Sequence, residues 1–96
     1  MEALILGEWI YQGEAASIFL NFKSDLTVEI INSLDTNVFF FNFRIENGDL
    51  YFLLVENNQE VEFVYTIESL TSDKLVLSFV DNSGFITRQT YVKNIT

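Results

Sequence analysis

The sequence predicts an all-β domain, a small eight-stranded antiparallel up-and-down barrel, and three observations lead there. Apolar and polar residues alternate through most of the chain, without a stretch of helical period long enough to place a helix. Turn-forming residues punctuate that alternation at short intervals, at Gly13, Lys23-Ser24-Asp25, Asn47-Gly48, Glu56-Asn57-Asn58-Gln59 and Asp81-Asn82-Ser83-Gly84. Successive hairpins drawn through these turns also agree on one inward-facing set, and unrelated segments have no reason to agree.

The chain is organised around Gly7-Glu8-Trp9, which follows an apolar lead-in, Leu4-Ile5-Leu6. Glycine permits a turn or a close approach, and the sole tryptophan brings the largest apolar side chain available, suited to plugging one end of a barrel. The first strand is read over Glu8–Gln12, the second over Ala16–Phe22 and the third over Leu26–Asn32. A loop of Lys23, Ser24 and Asp25 sets Phe22 opposite Leu26, Leu20 opposite Val28 and Ile18 opposite Ile30. A loop over Ser33–Thr36 sets Ile30 opposite Phe39 and Val28 opposite Phe41.

Asn47-Gly48 is the best hairpin signal, since both residues accept the positive φ of a two-residue type I′ turn. It pairs Ile45 with Leu50, Phe43 with Phe52 and Phe41 with Leu54. On the other face Arg44 meets Tyr51, Asn42 meets Leu53 and Phe40 meets Val55. The loop Glu56–Gln59 leads into a strand over Glu60–Ser69, in which Val61, Phe63 and Tyr65 face inward. Leu70–Lys74 turns the chain into Leu75–Val80, and Phe85–Lys93 is the last strand. There a four-residue loop sends Ile86 and Arg88 inward, and one residue more or less sends Phe85, Gln89 and Tyr91 inward. The second register is favoured because it buries two aromatics. An open sandwich of the same strands is the alternative to closure, but closure removes exposed edges.

Composition narrows the function. The 96 residues fit one domain, 1–96, without linker, repeat or proline. Domains of this size bury about 60–70% of the surface their unfolded chains expose. The 49% of hydrophobic residues, ten Phe among them, supply the core that this requires. Five basic residues against fourteen acidic give a net charge of −9. Phosphate backbones need clustered Lys and Arg, so nucleic acid and anionic membrane surfaces are excluded as expected partners, while a neutral ligand or a basic protein remains. The longest apolar run, Val38–Phe41, is far too short for a membrane span. Residues 1–7 are too short and acidic for a signal peptide. The expected location is cytoplasmic, or secreted or periplasmic if a leader has been removed.

Without histidine or cysteine the usual bases, nucleophiles and transition-metal ligands are missing. Only a paired-carboxylate mechanism remains open to catalysis, and no particular pair is indicated; the chain does not read as an enzyme. Neither Glu56–Glu60 nor Asp81–Gly84 carries the ligand ladder of a calcium loop. No cofactor or metal is expected.

Gly7-Glu8-Trp9 resembles the glycine-x-tryptophan signature that opens lipocalins. Phe22-Lys23-Ser24-Asp25-Leu26-Thr27 is similar to a hairpin of short bacterial lipocalin-like domains (the calycin type), in which glycine usually stands where this chain has Leu26. Ile67–Leu77, centred on Leu70-Thr71-Ser72-Asp73-Lys74-Leu75, resembles their next-to-last hairpin, and Tyr91-Val92-Lys93 resembles their close. The chain lacks the flanking helix and the disulfide of the longer vertebrate lipocalins. The resemblance implies a lipocalin-like barrel. It also implies a basic side chain from the final strand stacked on Trp9, a role open to Arg88 or Lys93. The paired Arg and Tyr that hold a carboxylate in fatty-acid-binding relatives do not carry over. Arg88 and Tyr91 are three apart and face opposite sides.

Two sets of candidate site residues follow. Trp9, Tyr11, Tyr65, Gln89 and Tyr91 are polar-tipped and inward, suited to orienting a small apolar ligand, or to packing in the core with their tips in water. Val38, Phe40, Tyr51, Leu53 and Val55 form an outward apolar patch on the 38–55 hairpin, suited to an interface. Two functions are therefore expected. One is a non-catalytic binding module for a small apolar ligand. The other is a protein-interaction domain, as a homodimer or as an acidic inhibitor of a basic partner.

Overall fold

The computed structural model describes residues 2–13, 18–32 and 37–94. A single helical turn, α1 (Glu2–Ile5), precedes eight strands. These are β1 (Gly7–Tyr11), β2 (Ile18–Phe22), β3 (Thr27–Asn32), β4 (Asn37–Glu46), β5 (Asp49–Glu56), β6 (Gln59–Leu70), β7 (Lys74–Val80) and β8 (Ile86–Lys93). Each pairs antiparallel with the next, and β1 closes on β8 through Trp9↔Lys93, Ile10↔Val92 and Tyr11↔Tyr91. The barrel is closed, so the open-sandwich alternative falls.

The Asn47-Gly48 hairpin forms as its residues dictate, with φ of 53° and 81° at the two positions. Phe43↔Phe52 and Ile45↔Leu50 face inward and Arg44↔Tyr51 outward. The β5–β6 turn is shorter than the expected Glu56–Gln59 loop. Asn57 and Asn58 alone make it, at φ of 52° and 61°, and the strands continue to Glu56 and from Gln59. Asparagine tolerates the left-handed region better than other non-glycine residues.

The β2–β3 register differs from expectation by two residues. Phe22 faces Val28, Leu20 faces Ile30 and Ile18 faces Asn32. Leu26 does not enter the strand; it completes the turn at φ 67°, half exposed. The Asp25 carboxylate accepts bonds from the Thr27 amide (3.1 Å) and hydroxyl (2.5 Å) and so holds the chain back for one more residue. The shift of two preserves the inward parity, because side chains alternate.

The loop Asp81–Phe85 is one residue longer than the four-residue alternative, so Val80 pairs with Ile86, and Gln89 and Tyr91 point inward. Tyr91 is buried as expected. Phe85 is not: it lies in the turn, 71% exposed. Ala16 and Ser17, expected to begin the second strand, and the expected loop Ser33–Thr36 lie outside the described residues.

The core fills one half of the barrel. Ile5, Trp9, Phe22, Val28, Leu50, Leu75 and Leu77 are buried almost completely, with Leu20, Phe43, Phe52 and Tyr91 against them. Trp9 closes this end, and its indole N–H donates to the Ile5 carbonyl at 2.7 Å. Of the two basic residues open to stacking on it, Lys93 takes the place, with Nζ 4.7 Å from the ring centre. Its ammonium also donates to the Leu6 carbonyl. A Cβ at Gly7 would lie 2.6 Å from that ammonium, and Gly7 itself sits at φ 113°. Both facts favour glycine there. Arg88 points outward and bonds Glu68 at 3.0 Å.

Candidate functional site

The other end of the barrel is built differently, and strand length is the reason. β6 has twelve residues, but its ladder to β7 covers only Thr66–Leu70, with a bulge between Ile67 and Ser69. The β4–β5 ladder likewise stops at Asn42↔Leu53. Residues 54–61 are therefore paired only with one another, and residues 62–65 only with residues 50–53 of β5, so the hairpin forms a two-stranded flap at the rim. At the closed end the ladders instead run on into the turns. There the Phe43 amide donates to the Leu26 carbonyl, Ile67 to Gly48 and Lys93 to Asp73.

Alternation still aims the flap's inner side chains at the barrel axis. Val61 and Phe63 share the inward parity of Leu54 and Phe52, yet are 43% and 44% exposed. On β4, Phe39 has the parity of Phe41 and Phe43 and is 54% exposed. A chain of rings leads inward from the flap. Phe63 meets Phe41 edge-on at 6.1 Å, Phe41 meets Phe52 at 6.1 Å, and Phe52 meets Tyr65 at 5.4 Å. Tyr65 then meets Phe79 at 5.5 Å, and edge-to-face contacts of this kind suit the ring quadrupoles. Where β4 and β5 part, a cleft of about 230 Å³ opens, lined among others by Phe40, Phe41, Leu54 and Val55.

The five polar-tipped residues singled out from the sequence divide between the two ends. Trp9 belongs to the plug of the closed end, among Ile5 and its neighbours. Tyr11, Tyr65, Gln89 and Tyr91 lie within the barrel. The Tyr11 and Tyr91 rings are 5.4 Å apart, and the Tyr91 hydroxyl donates to Gln89 Oε1 at 3.0 Å. Burial raises the pKa of Tyr91 strongly, with smaller contributions from Tyr65 and Tyr11, and burial also raises Tyr65. Both phenols stay neutral donors at any ordinary pH.

The outward set is placed on one face of β4 and β5. Phe40 and Val55 are 62% and 57% exposed, and Val38 is exposed beside them. Phe40 does not pair with Val55, since the ladder has ended before them. Tyr51 and Leu53 are half-buried for an identifiable reason. The Arg44 guanidinium stacks on Tyr51 at 4.1 Å and reaches across β5 to Glu62 Oε2 at 3.0 Å, roofing the face. Val64, opposite Tyr51, extends the patch onto β6.

Phe39, Phe41, Leu54, Val61 and Phe63 were legible only as core positions. Their parity was right, but their exposure depends on where ladders end. The one available signal was length, because the alternating runs from 38 to 69 exceed those before residue 32.

The chain is similar over 95% of its length to a lipocalin-like protein from Bacteroides uniformis, whose crystal structure it matches with a TM-score of 0.69 at 19% identity, covering 99% of that chain. No family model matches the sequence. No curated protein matches it either.

Proposed function

We propose that this lipocalin-like barrel is a non-catalytic binding module that takes a small apolar ligand at its open end. The observation that carries the reading is that Phe39, Val61 and Phe63 point to the barrel axis and remain about half exposed. Apolar side chains facing inward without cover are what an apolar ligand would bury, at roughly 25 cal/mol per Å². Tyr11, Tyr65 and Gln89 supply neutral hydrogen-bonding groups that orient it, with Tyr91 behind them. A titration with the neutral dye N-phenylnaphthylamine tests this. Binding is expected to brighten the dye, and Phe63→Asp to weaken binding by about tenfold, or about 1.4 kcal/mol. A dye that stays dark, or binds the variant equally well, sinks the reading.

The exposed outer patch favours a second reading, a self-associating interaction domain. Contiguous exposed apolar surface is characteristic of interfaces; Phe40 and Val55 line the cleft between β4 and β5, and Val38 is exposed on the same strand as Phe40. Sedimentation over a concentration series decides it. A dimer dispersed by Phe40→Asp supports it, and a monomer at every concentration defeats it.

A further inference from the structure

We propose that the open end selects apolar ligands without a negative charge and turns away carboxylates such as fatty acids. This rests on the binding reading above and names the ligand class that the site accepts.

None of the five basic side chains of the protein is available to the mouth. Lys23 is paired with Glu29 beside the β2–β3 turn at the closed end, where exposed Lys74 also begins β7. Lys93 lies over Trp9 and is tied to the Leu6 carbonyl. Arg44 and Arg88 point away from the axis and are engaged by Glu46 and Glu62, and by Glu68. Among the described residues, the polar groups of inward parity in the barrel include three phenols, the Gln89 and Asn32 amides and the Thr87 hydroxyl, all uncharged. The Tyr91 hydroxyl proton is already given to Gln89.

Carboxylates flank the opening instead. Glu60 stands on the outer side of the flap beside Glu62, whose charge is already paired with Arg44, and Asp81 caps the neighbouring turn through the Ser83 and Phe85 amides. An anion entering among Phe39, Val61 and Phe63 would lose its water and meet no cation, the costly case for a charge. A neutral head group loses far less and finds donors and acceptors. The net charge of −9 adds a repulsion that acts at longer range and is screened by salt.

Two dyes with the same rings separate these effects: neutral N-phenylnaphthylamine and its sulfonated counterpart, anilinonaphthalene sulfonate. The neutral dye is expected to bind at least about tenfold more tightly. Most of that preference is expected to survive in about half-molar salt, where screening leaves only the local cost. Val61→Lys, which places a cation at the mouth, is expected to raise sulfonate affinity by about tenfold. Equal affinities for the two dyes overturn the charge selection but leave the binding reading standing. A preference that vanishes in salt, or a Val61→Lys variant without gain, also overturns it. If neither dye binds, the binding reading itself fails and this inference fails with it.

Discussion

At the closed end of the barrel, inward side chains are covered from several strands at once. Trp9 and Ile5 are wholly buried, and the ladders continue into the turns that meet there. At the open end, residues 54–61 keep only their own hairpin ladder and residues 62–65 only the ladder to β5, and Val61 and Phe63 point to the same axis without cover. The residue types hardly differ, and neither does the alternation. What differs is how many neighbouring strands stand beside each side chain. Burial here is set by ladder continuity more than by the hydrophobicity of the residue concerned.

Substitution in the two regions should therefore cost unequal amounts. Trp9→Ala is expected to lower stability by about 3–5 kcal/mol, since it empties a closed site that cannot collapse fully. Phe63→Ala, on a surface already half open, is expected to cost about 1 kcal/mol or less. Equal losses in denaturant titrations would break the comparison. Amide exchange sharpens it without mutation. Amides of the 54–61 hairpin tip should exchange about a hundredfold faster than those of Phe43 or Leu77, because a tip paired only with itself opens without unfolding the barrel. Uniform protection would show the flap to be part of the same cooperative unit.

Smaller effects probe the closed end in detail. Leu26→Gly is expected to stabilise the protein by about 1 kcal/mol, since a leucine at φ 67° carries a strain that glycine does not. An unchanged melting curve would mean that the turn relieves that strain in another way. Lys93→Met is expected to cost about 0.5–1 kcal/mol by removing the cation from the Trp9 face. A gain would show that desolvation, which lowers the Lys93 pKa, outweighs the stacking.

The least effect concerns pH. The Thr27 hydroxyl and amide hold the Asp25 pKa below its usual value, and Ser78 and Arg88 do the same for Glu68. Groups lowered on folding contribute stability above the usual carboxylate range and lose it as pH falls through their folded values. Asp25→Asn should flatten part of the acid limb of the stability curve, and an identical limb would remove Asp25 from that account.

Much of this protein was legible in its sequence. The eight strands, the inward parity of nearly every one, and the Asn47-Gly48 turn followed from alternation and backbone preference, which are local properties. The plug followed from Trp9 beside Gly7, since a large apolar ring next to a flexible residue suits the end of a barrel. The glycine usual at this position in the similar hairpins fits the left-handed backbone found at Leu26, which the sequence by itself places in a strand. Asp25 decided otherwise through bonds to Thr27, a competition between side chain and ladder that residue type does not settle.

Three features only the tertiary structure decided. Lys93 rather than Arg88 stacks on Trp9, because a one-residue extension of the Asp81–Phe85 loop fixes which side of β8 faces the barrel. Tyr51 and Leu53 are roofed while Phe40 and Val55 are not, because Arg44 bridges to a glutamate two strands away. Above all, the separation of the ends arises where the ladders to β4 and β7 stop. Alternation reports the direction in which a side chain points. Whether anything stands there to cover it depends on strands far away in the chain.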